Sequence, residues 1–205
     1  MQSVEDIFKR YEKLKNHRSV WESHWEEVAE RVLPRAAEFT GEREPGDKRT
    51  AKQFDSTAAL ALERFASAVE SLLTPRGAKW HTLRTSDPVL DRDFSVRAWF
   101  DDVERIMFAR RYAPTANFAS QMHEVYLSLG AFGNGVLFVD EDDLGRPLYR
   151  SAHLSDVFIS ESEHGTIDTV YRRFEVSARQ ALRMFEDGSL SPELRKCAAE
   201  EPDKR

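Results

Sequence analysis

In the stretch YLSLGAFGNGVLFVD, Tyr126–Asp140, the period of the apolar residues changes. Upstream, Phe118, Met122, Val125, Tyr126 and Leu129 recur at three- and four-residue steps, the spacing of one helix face. Downstream, Gly135–Val139 is a short run rich in β-formers, as in a strand. The glycines between them invite a reading as a phosphate-binding loop. Such a loop follows a strand and opens a helix, whereas this run follows a helix and opens a strand. Gly130 or Gly133 is then a helix stop in the left-handed geometry that glycine tolerates. The chain is therefore α+β, with long N-terminal amphipathic helices packed with a small antiparallel β-meander. A mainly helical part covers residues 1–134, with one short strand near 80–85. The meander covers 135–176, and short helices cover 177–205.

Within the helical part, Val4 to Leu33 reads as one long amphipathic helix. Ile7, Phe8, Tyr11, Leu14, Trp21, Trp25, Val28, Ala29 and Val32 form its stripe, Ser3 its N-cap and Pro34 its stop. Phe39–Lys52 is a polar loop, in which Arg43, Lys48, Arg49 and Lys52 could touch phosphate but are diluted by Glu42, Glu44 and Asp47. Phe54–Leu83, FDSTAALALERFASAVESLLTPRGAKWHTL, reads as a helix, a stop and a strand. The helix starts at Asp55 or Ser56 and runs to Leu73, with Leu62, Phe65, Val69, Leu72 and Leu73 as its stripe and alanines that permit close approach. Thr74-Pro75-Arg76-Gly77 ends it, and Trp80–Arg84 alternates as a short strand does. A third helix spans Phe94 to Arg111, with Val96, Trp99, Phe100, Val103, Ile106 and Met107 on one side, and Asn117 caps the fourth.

After the period changes, Asp142–Gly145 and Glu163–Gly165 are turns of the meander, joining strands at 135–139, 147–150, 157–159 and 166–176. Ser177 and Ser191-Pro192 open two short helices. The last of these runs to Arg205 without a stop signal, as in a chain cut short.

The 205 residues carry a net charge of −6 and a single cysteine, Cys197. One cysteine excludes an internal disulfide. The acidic balance argues against a simple phosphate-neutralising DNA binder, and does not exclude a protein past which DNA slides without sticking. No apolar run reaches the roughly 20 residues of a membrane span. No catalytic, metal or cofactor site stands out. The histidines lack metal-pair spacing, no nucleophile elbow occurs, and Cys197 has no nearby base. His153, Asp156, His164 and Asp168 could in principle converge on a metal, and Asp140–Asp143 could bind a cation weakly. Both groups read more simply as solvated loop and turn residues. Arg110-Arg111-Tyr112 and Tyr171-Arg172-Arg173-Phe174 pair arginines with aromatics, as surfaces for bases, phosphates or a subunit interface do.

The order of these pieces resembles the head-to-tail connecting, or portal, proteins of short-tailed, T7-like bacteriophages. The residues that carry the resemblance include Trp25, Val32–Arg35, Phe54–Ala58, Ala61–Ala66, Leu72–Pro75 and Trp80. Further along they include Trp99-Phe100, Asn117-Phe118, Tyr126–Gly135 and Arg172–Phe174. The resemblance covers the N-terminal, wing-like part of much longer chains. It implies a structural subunit, not an enzyme, of a ring of about twelve copies at one capsid vertex. Double-stranded DNA would pass through the ring, and the implied partners are a packaging ATPase (terminase), capsid and scaffolding proteins, and tail adaptors. Its place would be the virion, after assembly in the host cytoplasm. On the same resemblance Phe54, Asp55, Arg64, Thr74, Pro75, Trp80, Asn117, Phe118, Gly133, Gly135, Arg172 and Arg173 are candidate subunit-interface or scaffold residues. Two alternatives remain at this point: another head-tail adaptor of a virion, and a metal-dependent nucleic-acid enzyme using the acidic turn.

Overall fold

The computed structural model describes residues 3–41, 46–185 and 190–203. The chain divides into two compact units, Met1–Val170 and Tyr171–Arg205. The first holds helices α1 (Val4–Val32), α2 (Thr57–Leu73), α3 (Phe94–Arg111) and α4 (Phe118–Phe132). Strands β1 (Val136–Glu141), β2 (Pro147–Ala152), β3 (Val157–Glu161) and β4 (Ile167–Arg172) follow. The second unit contains α5 (Ala178–Met184) and α6 (Pro192–Glu200). The α+β class is as the sequence predicts.

The helix ends obey their local chemistry. The Ser3 hydroxyl accepts from the N–H of Asp6, and Ser177 and Gln180 form a reciprocal capping box at α5. Ser191 caps α6, with Pro192 at its first position. Asn117 differs from expectation. It adopts the left-handed conformation, φ 59°, and its side chain makes no capping bond. Asparagine is chosen there for its tolerance of positive φ rather than for its amide. Of the two glycines proposed as the stop of α4, Gly133 serves, at φ 76°. Gly130 lies inside the helix, where a Cβ would stand 2.6 Å from Leu62 Cδ1 and 2.7 Å from Phe65 Cδ1. It lets α4 approach α2.

The core lies between α2, α4 and the second half of α1. Leu62 and Ala66 of α2 meet Tyr126, Leu127 and Phe132 of α4, under Ala29, Leu33, Ala37 and Phe39. Trp25 covers this cluster, with its ring 5.6 Å from that of Phe39. Part of the α1 stripe is not so covered, since Ile7 and Phe8 in its first half and Trp21 in its second are exposed. On α2, Leu72 and Leu73 are likewise exposed, and Phe65 is only half-covered.

Two β expectations are corrected. Trp80–Arg84 is extended but has no ladder. The backbone N–H of Leu83 is donated to the Glu104 carboxylate instead, so a side chain stands where a neighbouring strand would. The meander is two separate two-stranded hairpins, β1–β2 and β3–β4. Its break is explained by Arg18. This guanidinium donates to the carbonyls of Leu154, Ser155 and Val157, at 3.0, 2.7 and 2.6 Å, and stacks 3.6 Å over the Phe158 ring. The turn between β2 and β3 is thereby bound to α1, not to a strand. The other edge of β2 is taken as well. Tyr149 N–H donates to Ala116 O, and Ser151 N–H to the Gln121 side chain at 2.6 Å.

Within the 39–52 loop, Arg49 pairs with Glu38 and Lys52 with Glu30, so both cations serve the fold. Glu42, Arg43 and Glu44 lie outside the described residues. In the second unit, α6 stops at Glu200, one residue before Glu201-Pro202, and does not run on to Arg205. Proline cannot continue a helix comfortably.

The glycines give a graded test. At Gly135 a Cβ would meet the Val125 carbonyl oxygen at 2.7 Å, and that oxygen cannot move without α4. Gly135→Ala is expected to cost roughly 2 kcal/mol or more, lowering Tm by about 5 °C. Gly133→Ala, strained only by its φ, is expected to cost about 1 kcal/mol. Gly77→Ala, in open space and outside the left-handed region, should change stability by less than about 0.5 kcal/mol. Thermal unfolding monitored by circular dichroism orders the three.

Candidate functional site

Four of the motif residues converge where α2 ends. Thr74, the C-cap of α2, is buried, and its hydroxyl shares a hydrogen bond of 2.9 Å with the Tyr126 hydroxyl of α4. Its carbonyl accepts from the Tyr112 hydroxyl at 3.0 Å, and that hydroxyl accepts from Trp80 Nε1 at 3.0 Å. The Trp80 ring stacks on Phe118, interplanar angle 11°, and Arg111 lies 4.8 Å from the Trp80 ring centroid. Phe118 in turn meets Tyr149 of β2 edge-on at 4.9 Å. Pro75 follows Thr74 at once and prevents α2 from continuing. This junction links α2, the 75–83 segment, the end of α3, α4 and β2.

A charged strut stands beside it. Glu104 is 2 % exposed, the most deeply covered acid among the described residues of the first unit. One carboxylate oxygen accepts from Lys79 Nζ at 2.6 Å and the other from the Leu83 N–H. Its neighbours seal it from water, but it lies just under the surface, because the Lys79 above it is half-exposed. The hydrogen bond from Lys79 and then that from Leu83 hold its pKa below the usual 4.5, and Glu104 raises that of Lys79. His81 packs flat against Phe108 at 4.8 Å. Arg111 can only donate, so His81 Nδ1 accepts from it at 3.2 Å and the ring proton stands on Nε2. That N–H is buried and unpartnered among the described residues. Burial, then Arg111, lowers the His81 pKa below 6.5, so the ring stays neutral.

A second polar clamp crosses from α4 to α2. His123 bonds Glu70 through Nδ1 at 3.0 Å and Glu63 through Nε2 at 3.1 Å. Burial pulls its pKa down, but the two carboxylates outweigh burial and raise it above 6.5.

The other motif residues lie elsewhere. Phe54 is 97 % exposed, and Arg64 is on the exposed side of α2. The Asp55 carboxylate accepts from the Thr57 N–H at 2.8 Å and starts that helix. Asn117 opens α4 beside the junction, while Gly133 and Gly135 are at the far end of α4. Arg172 and Arg173 belong to the second unit, where the Arg172 guanidinium lies 4.8 Å from the Phe174 ring. Arg111, by contrast, serves the aromatic junction of its own chain.

Among the described residues no group of three or more His, Cys, Asp or Glu is placed to hold a metal ion. His153 bonds Ser155 and the Ala36 carbonyl. Asp142 receives the N–H groups of Leu144 and Arg146 and the Arg146 guanidinium, which is the bonding of a hairpin turn.

Glu104, Lys79 and Arg18 were not among the predicted residues. Their signal was available: Glu104 and Arg18 are charges at stripe positions, one between Phe100 and Phe108, the other between Leu14 and Trp25. A charge there marks a buried partner rather than a mistake in the period.

Comparison with known proteins follows the same span. Residues 4–205 match the family described as bacteriophage head to tail connecting protein. The chain is 32% identical over 183 residues to a probable portal protein of Bordetella phage BPP-1, covering 87% of this chain and 32% of that protein. It is 30% identical over 182 residues to the portal protein of Salmonella phage epsilon15, covering 88% of this chain and 32% of that one. The chain thus spans about a third of the length of these relatives.

The two clamps give opposite pH limbs. The Glu104 contribution to stability is present above its unfolded pKa near 4.5 and is lost as pH falls through the depressed folded value. Glu104→Gln should therefore lower Tm at neutral pH and flatten the acid limb below about pH 4.5. The His123 contribution is complete below 6.5 and is lost as pH rises through the raised folded value. His123→Asn should remove that decline above pH 6.5 and leave the acid limb in place. Tm profiles of the two variants and the parent check both.

Proposed function

Because the chain belongs to the bacteriophage head to tail connecting protein family, we propose that it is the wing-like part of a portal subunit. Copies of that subunit close into a ring at one vertex of the capsid, join head to tail, and let double-stranded DNA pass during packaging and ejection. The observation that carries this reading is the match over residues 4–205, supported by two portal relatives that each align with more than four fifths of the chain. The role is structural. The packaging ATPase, scaffolding and capsid proteins, and tail adaptors are the partners, and the ring is assembled in the host cytoplasm before it becomes part of the virion.

The physical chemistry is consistent with this role. A cyclic ring needs two different complementary patches on each subunit, and the first unit exposes apolar side chains on both α2 and α3. The net charge of −6 keeps the subunit from binding the passing polyanion tightly. The junction at Thr74, Trp80 and Phe118 has the character of scaffold: the Thr74 hydroxyl and carbonyl, the Tyr112 and Tyr126 hydroxyls and the Trp80 N–H bond one another.

Native mass spectrometry and negative-stain microscopy of the complete product of this reading frame test the proposal. Closed rings with an axial hole, of about twelve copies, are expected. A stable monomer over the whole micromolar range would overturn it and favour an adaptor that does not form a ring.

A further inference from the structure

Two exposed helix faces carry the same unusual spacing. On α2, Ala58, Ala61, Phe65, Ala68 and Leu72 follow one another at steps of three, four, three and four, and Phe54 extends the line by four. On α3, Val96, Trp99, Val103, Ile106 and Arg110 follow at three, four, three and four. This is the a/d spacing of a coiled-coil seam. It normally lies hidden, yet Leu72 is 79 % exposed and Trp99 60 %, and Phe54, Phe65 and Ile106 are exposed too. The core of the first unit uses the other side of α2, through Leu62 and Ala66. Within one chain α2 and α3 do not pack along each other.

The seams are complementary. One is low, with three alanines; the other is high, with a tryptophan and β-branched residues. Each carries one charge at the position before an a residue, Arg64 before Phe65 and Asp102 before Val103. Among the described residues Arg64 has no ion pair, and Asp102 pairs with the exposed Arg105 one turn away. In heptad terms both are g positions, and two g positions meet only when the helices run antiparallel. Pairing Arg64 with Asp102 fixes the register. It sets Ala58 opposite Ile106, Ala61 opposite Val103, Phe65 opposite Trp99 and Ala68 opposite Val96. Small faces large in three layers, and two aromatics meet in the fourth. With roughly 150–250 Å² for each aromatic buried, each face supplies several hundred Å², a large share of the ~800 Å² per partner of a stable interface.

We infer that the α2 seam of one copy receives the α3 seam of the next copy, antiparallel and in this register. The contact is heterologous and leaves the first copy its α3 seam and the next copy its α2 seam, so it propagates around a ring. This inference rests on the ring-forming reading above and adds to it which surfaces meet.

The experiment uses the complete protein with Cys197→Ser. Ala58→Cys with Ile106→Cys, mildly oxidised after assembly, should give a ladder of disulfide-linked multimers. Ala58→Cys with Arg105→Cys, on another side of α3, should not. Arg64→Asp and Asp102→Arg should each weaken assembly by about fivefold per contact, and the two together should restore it. Rings that form without the ladder, or charge swaps that fail to rescue one another, overturn this inference and leave the ring reading standing. A ladder confined to the control pair does the same and places another α3 face against α2, while a product that never assembles overturns both readings. Rings in which both α2 and α3 cysteines are shielded from maleimide yet never cross-link show that the rest of the subunit covers the seams, which also overturns the inference.

Discussion

Thr74 is the knot of the first unit. Its hydroxyl bonds α4 through Tyr126, and its carbonyl bonds α3 through Tyr112, which holds Trp80 in turn. A helix C-terminus leaves carbonyls without helical partners. Here one of them is used to fasten the neighbouring helix. Each hydrogen bond of this kind contributes only about 1 kcal/mol net. The consequence of losing one is larger, because the groups left behind are buried without water. The position of α3 follows from this knot and from Glu104, since α3 shares little broad packing with α2 or α4. A helix held at a few polar points keeps most of its surface free for other contacts.

The period of the chain was legible wherever one face was buried locally. The bounds of α3 followed from its apolar spacing, and one of the two glycines named for the stop of α4, Gly133, serves as that stop. Two β features were misread for one reason. Alternation in Trp80–Arg84, and turn residues at 153–156, say that a segment is extended or turned, not what its backbone pairs with. In both places the partner was a side chain far away in sequence: Glu104 for Leu83, and Arg18 for the 154–157 carbonyls. Stripes on α1 and α2 were found as stripes, without a division between the residues that the chain's own core covers, such as Leu62, and those left exposed, such as Leu72. The sequence cannot distinguish a face buried in its own chain from one buried by another molecule, because the hydrophobic effect is the same in both.

The candidate site was half legible on the same grounds. Thr74, Trp80 and Phe118 were singled out and do come together, while Tyr112 and Tyr126, which connect them, could not be joined to them without the fold. Arg111 was read as a surface or interface arginine and instead caps the Trp80 ring. The family match carries the function, and the structure contributes the separation of surfaces. A hydrogen-bonded aromatic junction stands beside two helices that each bury one side in their own chain and leave apolar residues exposed on the other.

The hairpin β1–β2 is exposed to a hazard common to small sheets. A two-stranded ribbon has two open edges, and open edges invite indiscriminate strand pairing. One edge, that of β2, is closed by the Ala116 carbonyl and the Gln121 amide. On the other, the N–H of Glu141 turns back to the Asp140 carboxylate at 2.9 Å. Only the short run around Leu137 and Val139 still offers outward backbone groups, too brief a template for a foreign strand. The chain's own loop and side chains thus do for this ribbon what a neighbouring strand would otherwise do.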